Sequence, residues 1–220
     1  MTSMTTDIAR PGLARTGWTR VLPPIGGLTL VAGLIGIMGS PMGDDAGQTP
    51  AEVVAFTEAH EGWLAATAVF GVVSIALAAA FVAGLAARLR GLATQTEAAL
   101  VVVGGAVFTV CFALFLTVWT APLVDSPDDR VQALAQAQAY LSYDDVGWFL
   151  LAATGVAAAV IAVPASVAGM RGGLPAWLGW AGVLAGLASV ATIAFVGIFA
   201  WMAWIGVASI VLFVAPAREG

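Results

Sequence analysis

The chain has 220 residues, 60% of them hydrophobic and only 10% charged, and its formal net charge is −5 at pH 7. Soluble domains carry about 25% charged residues, so this composition excludes an ordinary soluble domain and indicates an integral membrane protein. The negative charge, without a basic stripe, argues against nucleic acid as a partner, and the single cysteine, Cys111, excludes an intramolecular disulfide framework.

Apolar segments recur along the chain at the length that a membrane requires. A bilayer core of roughly 30 Å needs about 20 apolar residues as a helix. The last apolar stretch, 174–214, would reach about 62 Å as one helix, so it must turn between Ser189 and Gly197 and form two spans. The sequence therefore predicts six spans near residues 21–39, 63–87, 98–121, 146–170, 174–192 and 196–214.

The arginines orient these six spans. Seven of the eight arginines fall on one side of a six-span chain, and only Arg130 falls on the other. The positive-inside rule then predicts that both termini are cytoplasmic. We expect a multi-pass protein of the bacterial plasma membrane (the cell inner membrane), with a cytoplasmic segment at 1–20, one membrane domain at 21–214 and a cytoplasmic tail at 215–220.

The two predicted outer loops, 40–62 and 122–145, each carry the pattern of a short amphipathic helix and together hold ten of the thirteen acids. "TPAE" from Thr49 and "SPDD" from Ser126 both place a hydroxyl, a proline and then an acid at capping-box positions. We predict that both helices lie along the outer membrane surface. Their shared faces would hold Val53, Phe56, His60 and Trp63 in the first helix, and Val131, Leu134, Gln138 and Leu141 in the second.

The first four spans also contain two similar halves. "HEGWLAAT" opens the second span and "DDVGWFLLAAT" the fourth, and a glycine pair stands early in the first span, at 26–27, and in the third, at 104–105. Gly-Trp pairs mark span borders generally, so it is the combined pattern of caps, borders and arginines that predicts a degenerate duplication. The two copies would cover about 20–90 and 95–171 and form a parallel repeat.

His60 is the one histidine of the chain and lies between Glu58 and Glu61 at the start of the second span. Histidine changes charge near neutral pH and binds metals, so His60 is a candidate metal ligand or acid/base group. On a helical wheel, both glutamates point away from the face that Phe56 and His60 share. The simpler interpretation is that His60 packs or caps where the surface helix meets the span, and we expect no cofactor.

Asp144 and Asp145 precede the fourth span on the same predicted side of the membrane. Asp145 follows Ser142 by three residues, which is typical of a helix cap, and the helix dipole favours acids at an N-terminus. An alternative is that both aspartates, with His60 and Glu61, surround an outer mouth. Such a group would bind a cation, or would act as acid and base in an enzyme that modifies a lipid or isoprenoid.

The spans themselves offer little chemistry, because no Asp, Glu, Lys, Arg or His lies near their midplanes. This pattern disfavours an ion-coupled transporter, and a passive channel would need a polar lining. Pro164 should kink the fourth span, and Trp201 and Trp204 share one face of the sixth. These three residues predict an apolar pocket for a lipid or isoprenoid, or alternatively a core in which aromatic rings fill the volume around a kink.

Two stretches of the C-terminal third, "GGLPAWLGWAGVLAGLASV" at 172–190 and "WMAWIGVASIVLF" at 201–213, resemble a broad group of bacterial membrane proteins, the domain-of-unknown-function family numbered 4386. The resemblance continues in "TPAEVVAFTEAHEGWL" and "FVAGLAARLRG" and covers about 22–214. It implies a six-helix inner-membrane protein and assigns no catalytic residue to any position here.

We therefore predict an all-α, polytopic six-helix transmembrane bundle with two short amphipathic surface helices on its outer side. The function that fits best is non-catalytic binding of a membrane lipid, another apolar ligand, a second copy of the chain or another membrane protein. A membrane enzyme at the outer mouth is the alternative, and a passive channel or transporter is the third possibility.

Overall fold

The chain folds into α-helices, as the sequence predicts, and no strand occurs among the residues that the structure describes. The computed structural model describes residues 17–38, 49–89, 92–124, 129–172, 174–191 and 196–214. The predicted tail at 215–220 and most of the predicted segment at 1–20 lie outside them. In chain order the helices are α1 (Gly17–Met38), α2 (Pro50–Arg88), α3 (Gln95–Val124), α4 (Arg130–Met170), α5 (Ala176–Ser189) and α6 (Val196–Val214).

Within the described ranges, three helical segments are long and apolar enough to cross a membrane: Pro50–Arg88, Gln95–Val118 and Asp145–Met170. They indicate that the protein inserts into a membrane. Shorter apolar helical segments are present as well, at Pro23–Ile35, Ala176–Ser189 and Gly197–Val211. A count of six spans therefore stays a prediction.

Local capping explains where α2 and α4 begin. Thr49 caps α2 with the predicted capping box, because its Oγ1 accepts from the Glu52 N–H at 3.4 Å while the Glu52 carboxylate accepts from the Thr49 N–H at 3.0 Å. The second predicted cap, Ser126, lies outside the described residues. Helix α4 is capped by Asp129, whose carboxylate accepts from the Val131 N–H at 2.9 Å.

The helices pack side by side in chain order, and α6 returns to contact α1, so that the six form a closed ring. Helix α4 also contacts α2 and α6 across this ring. The centre is filled by one large cluster of buried apolar side chains, which we call the bundle core. Its large members include Leu30, Phe81, Phe108, Phe112, Leu178 and Trp201.

Two glycine pairs allow close approach between neighbouring helices of the ring. A Cβ added at Gly26 would overlap the Leu77 backbone carbonyl in α2, and one added at Gly27 would overlap the Ser209 hydroxyl in α6. In α3, the first glycine of the pair at 104–105 faces α4 and the second faces α2. The first glycine of each pair thus faces the following helix. The second faces α2 in the case of Gly105, and both α6 and α2 in the case of Gly27, so the duplication stays a prediction.

The two predicted surface helices have different outcomes. The first is a helix that meets the second span at a kink, because α2 consists of two helices joined at His60, which leaves helical geometry (φ −125°, ψ 18°). The second continues without a break into the rest of α4, which corrects its prediction as a separate element. A predicted helix cap at Ser142 is also wrong, because the Ser142 hydroxyl donates to the Gln138 carbonyl at 2.8 Å inside an unbroken helix. The polar residues around Ser142 thus lie within α4 and do not mark the end of a helix.

The apolar faces of these two segments pack on each other and form what we call the α2–α4 cluster. The predicted face on α2 is confirmed, since Val53 and Phe56 are buried and Trp63 packs against them. Protein therefore covers this face, where the sequence predicted contact with the membrane surface. The buried members of the cluster are Val53, Val54, Phe56, Leu64, Ala137 and Tyr140.

The predicted face on α4 is only half right. Leu134 and Leu141 pack against the α2–α4 cluster, but Val131 is 74% exposed and Gln138 is exposed as well. The remaining α4 side chains of the cluster are Ala133, Ala137 and Tyr140, which the predicted face did not include. A helical wheel gives the spacing of a face but not its direction, and here α2 determines which side of α4 is covered.

Candidate functional site

His60 lies where α2 departs from helical geometry and is half-buried. Its ring stacks on Phe56, with 4.3 Å between ring centroids and 24° between ring planes. Its Nδ1 lies 2.9 Å from the Phe56 carbonyl oxygen. Because a carbonyl oxygen only accepts hydrogen bonds, Nδ1 carries a proton and donates it. His60 thus packs and hydrogen-bonds within its own helix.

The glutamates next to His60 do not turn toward it. Glu58 and Glu61 are both exposed, as the helical wheel predicts. Glu58 instead lies 3.8 Å from the Arg130 guanidinium of α4, and both side chains of this pair are more than 60% exposed. Neither glutamate therefore forms a site with the imidazole.

Of the two aspartates of the predicted outer mouth, the structure describes only the side chain of Asp145. Asp145 is exposed, and the side chain of Asp144 lies outside the described residues. Among the residues that the structure describes, no three His, Cys, Asp or Glu side chains stand close enough to hold a metal ion. The described part of the chain thus does not bring His60, Glu61 and Asp145 together as a cation site.

A small cavity lies inside the bundle core, next to the two predicted pocket tryptophans of α6. Trp201 is fully buried and meets Phe108 edge-on, with 5.4 Å between ring centroids, and Trp204 is buried as well. Residues of α1, α2, α3, α4 and α6 line the cavity, and its volume is about 10 Å³. One water molecule needs a space of about that size.

Pro164, the third of the predicted pocket residues, does not line this cavity. Its side chain is buried inside α4, but α4 reaches the cavity through Ile161, nearly one turn earlier. Ile161 and Pro164 lie three residues apart and so on roughly the same side of α4, but Pro164 does not reach the cavity.

Ser166 is the exception among the buried hydroxyl groups. Its Oγ is buried in α4 and has no hydrogen-bond partner among the described residues. The other buried Ser and Thr side chains of the described residues each donate to the backbone carbonyl four residues earlier, at 2.6 to 2.8 Å. They are Thr57, Ser74, Thr154, Ser189 and Ser209.

Two indole N–H groups share with the Ser166 hydroxyl the lack of a hydrogen-bond partner among the described residues. The Nε1 atoms of Trp201 and Trp204 are buried and have no partner among the described residues. A Cβ added at Gly182 in α5 would overlap both Ser166 Oγ and Trp204 Nε1. These two polar atoms therefore both pack against Gly182, where α4, α5 and α6 meet, and we call this contact the Ser166–Trp204 site.

Sequence analysis identified Trp204 but missed Ser166 and Gly182. The only signals were a serine inside an apolar span and a small-residue pair, Gly182 and Gly186, at GxxxG spacing. Neither signal shows which helices meet. A glycine that makes room for two polar atoms on other helices becomes visible only in three dimensions.

A polar clamp joins α3 to the far end of α4. Arg171 donates to both carboxylate oxygens of Glu97, with 2.8 Å between Nη2 and Oε1, and to the Leu92 carbonyl at 3.0 Å. The hydrogen bond with Glu97 raises the pKa of the Arg171 guanidinium. Thr94 and Glu97 also form a capping box, with 2.7 Å between the Thr94 N–H nitrogen and the carboxylate. The motif "TQTE" before an apolar run could have predicted this box.

The bundle core offers hydrogen-bonding groups and no acid/base pair. Among the described residues, the buried polar side chains are hydroxyls and indoles. In comparisons with models of protein families, with curated proteins and with solved structures, the chain matches none. The chemistry that this core supports is therefore hydrogen bonding to an uncharged group in apolar surroundings.

Proposed function

We propose that the protein is a six-span membrane protein that binds a neutral lipid or another apolar partner without catalysing a reaction. The observation that carries this proposal is the uncharged bundle core, since none of the Asp, Glu, Arg and His side chains that the structure describes is buried. Acid/base catalysis and ion-coupled transport rely on such groups. Binding of an uncharged molecule needs none of them.

The outward apolar faces of the helices support a membrane location. Five large apolar side chains of α3 are between 46% and 58% exposed. A soluble protein rarely leaves so continuous an apolar face uncovered, whereas lipid chains would cover it. We propose that this membrane is the bacterial plasma membrane and that both termini are cytoplasmic. The resemblance to the domain-of-unknown-function family numbered 4386 belongs to the same proposal. The five residues are Val102, Val103, Val107, Val110 and Leu114.

The first turns of α5 support the same placement. Trp177 and Trp180 are 60% and 62% exposed, and Leu184 and Leu187 continue the exposed side of this helix. Indole rings favour the headgroup level of a bilayer, and leucine favours the hydrocarbon. Helix α5 is therefore proposed to enter the membrane from the side on which Trp177 lies.

The two alternatives have less support. An enzyme at the outer mouth would use His60, Glu61 and the aspartates, yet Glu61 is exposed and His60 is hydrogen-bonded within its own helix. A passive channel needs an open polar path, whereas Phe108 and Trp201 meet edge-on in the bundle core. The contacts of His60 and Glu61 therefore do not favour the enzyme, and the packing of Phe108 and Trp201 does not favour the channel.

The proposed topology is tested by labelling single cysteines. In a Cys111→Ala background, Gln132→Cys should react with an impermeant maleimide in intact cells, because the proposed outer side includes the start of α4. Gln95→Cys should react only after the membrane is permeabilised. Both side chains are exposed, so burial does not limit the reaction. Labelling of Gln95→Cys in intact cells would contradict the proposed orientation.

The proposed binding is tested by mass spectrometry of lipids that copurify with the protein in several detergents. We expect an uncharged lipid at a constant molar ratio in the wild type and in His60→Ala, because binding in the bundle does not use the imidazole. Protein that is empty in every detergent would contradict the proposal. Loss of the lipid in His60→Ala alone would favour the outer-mouth alternative.

A further inference from the structure

We propose that a lipid chain of the outer leaflet fills a step in the ring of helices, beyond the end of α5 and against Val156 and Phe149 of α4. We call this place the outer step. The inference rests on the proposed function and deepens it, because it names where a lipid contacts the bundle. It follows from the height at which α5 packs on α4 and from the exposure of α4 beyond the end of α5.

Three glycines of α5 fix its height against α4, because each of them faces a different turn of that helix. The two helices run antiparallel, so each residue forward in α5 corresponds to one residue back in α4. Helix α5 ends at Ser189, three residues after Gly186, and its end therefore lies level with about Val160. The facing pairs, in order along α5, are Gly179 with Met170, Gly182 with Ser166, and Gly186 with Val163.

Helix α4 continues well beyond this level. Its apolar part, Asp145–Met170, has 26 residues, and those that precede Val160 rise about 22 Å beyond the end of α5. Helix α5 has only 14 residues and is about 21 Å long, whereas the hydrocarbon core of a bilayer is about 30 Å thick. Helix α6 begins at Val196, about two turns before Trp204, which faces Gly182, so α6 leaves the same space open.

The side of α4 that faces α5 is exposed beyond the end of α5. Val156 and Phe149 lie two and four turns before Val163 and so on nearly the same side of the helix. Val156 is 47% exposed and Phe149 is 72% exposed, whereas Ser166, which α5 covers, is fully buried. Because Val156 and Phe149 are apolar, hydrocarbon covers them more favourably than water does.

The dimensions of the outer step fit a lipid chain. One leaflet contributes about 15 Å to the hydrocarbon core, which is close to the rise along α4 from Val160 to Phe149. Tyr143 lies further out and is 54% exposed, and a phenol ring favours the headgroup level of a bilayer. At the end of α5, the Val190 and Ala191 N–H groups donate to carbonyls of their own helix, as backbone donors that face lipid must.

The test is the accessibility of a nitroxide label on a single cysteine in reconstituted vesicles, in a Cys111→Ala background. Oxygen concentrates in hydrocarbon and a nickel chelate stays in water, so the ratio of their collision rates with the label reports its surroundings. Val110→Cys, on the exposed face of α3, is the matched control. Gly104 of α3 faces Val160, so Val110, six residues further out, lies at about the height of Val156.

We expect Val156→Cys to give the same high ratio of oxygen to nickel collisions as Val110→Cys. Val131→Cys, at the start of α4, should give a low ratio, because it lies on the proposed outer side. A low ratio at Val156 would show water in the outer step. Few collisions with either reagent would show that protein covers it, such as a second copy of the chain. Either result would overturn the inference.

Phe149→Cys reports on the same surface if Val156→Cys does not fold. The α3 control separates this inference from the proposed function. A low ratio at Val110 would contradict the proposed membrane location, whereas a high ratio at Val110 with a low ratio at Val156 would remove only the outer step.

Discussion

The bundle core and the α2–α4 cluster are packed by different means, although both are apolar. In the bundle core, glycines bring neighbouring helices so close that a single added carbon meets backbone atoms, as at Gly26. In the α2–α4 cluster, side chains such as Phe56 and Tyr140 fill the space between two helices. Helices whose backbones are in contact can shift little when an atom is added between them, whereas side chains in contact can adjust more easily.

Two polar groups set the bundle core apart as well. Thr57 and His60, which lie on α2 next to residues of the α2–α4 cluster, hydrogen-bond to carbonyls of their own helix. The buried hydroxyls of Ser74, Thr154, Ser189 and Ser209 do the same. Ser166 and Trp204 in the bundle core have no such partner among the described residues. The close approach of α4, α5 and α6 at Gly182 thus also fixes where Ser166 and Trp204 lie.

The largest effect should come from filling a glycine contact in the bundle core. Gly26→Ala places a carbon against the Leu77 carbonyl, and a backbone atom cannot move away without shifting α2. We expect destabilisation of about 3 kcal/mol, at the upper end of the range for overpacking. The measurement is the unfolding free energy in mixed micelles from a denaturing-detergent titration.

Gly62→Ala is the matched control for this prediction. A Cβ at Gly62 would have no atom within 4 Å, so the change should stabilise α2 by roughly 0.5 to 1 kcal/mol through helix propensity alone. If both alanine variants shift the unfolding midpoint in the same direction, the steric explanation is wrong.

A smaller effect should follow from removing a side chain of the α2–α4 cluster. Val53 is 1% exposed, so Val53→Ala removes two buried methyl groups and should cost about 2 kcal/mol. Val131→Ala is its partner variant on α4 and should be nearly neutral, because Val131 is 74% exposed. Equal losses of stability in the two variants would support the apolar face that the sequence predicts for α4, in which Val131 is covered.

The sequence predicts what depends on neighbours along the chain. Hydropathy predicts the apolar helices, and the residues around Thr49 predict the start of α2, because caps are formed within four residues. The inward direction of Phe56 and the outward direction of Glu58 follow from helical periodicity. These features need no knowledge of the other helices.

The sequence fails where a second helix decides the result. Val131 and Leu134 have similar side chains and fit the same helical face, but only Leu134 contacts α2. Likewise, Ser166 is one of many hydroxyl residues inside apolar segments, and its unpaired state depends on the approach of α5 and α6. The polar residues around Ser142 resemble a helix cap, so the sequence does not predict that α4 continues through Ser142 without a break.

The Arg171 clamp should contribute less than either packed region. Arg171→Gln removes both contacts with Glu97 and leaves its capping box with Thr94 in place. We expect a loss of stability smaller than that of Val53→Ala, since water screens exposed ion pairs. The difference from wild type should shrink as salt is raised, and an effect that is independent of salt would show that the charge is not responsible.

The smallest effect should come from the contact between Arg130 and Glu58, which lies beside the α2–α4 cluster. The two side chains are more than 60% exposed and 3.8 Å apart, so the pair holds little of the cluster together. Arg130→Gln should leave the unfolding midpoint within experimental error at any salt concentration. A loss of stability comparable to that of Val53→Ala would mean that the α2–α4 cluster depends on charge pairing. The contrast between its side-chain packing and the backbone packing of the bundle core would then not explain how these helices are held together.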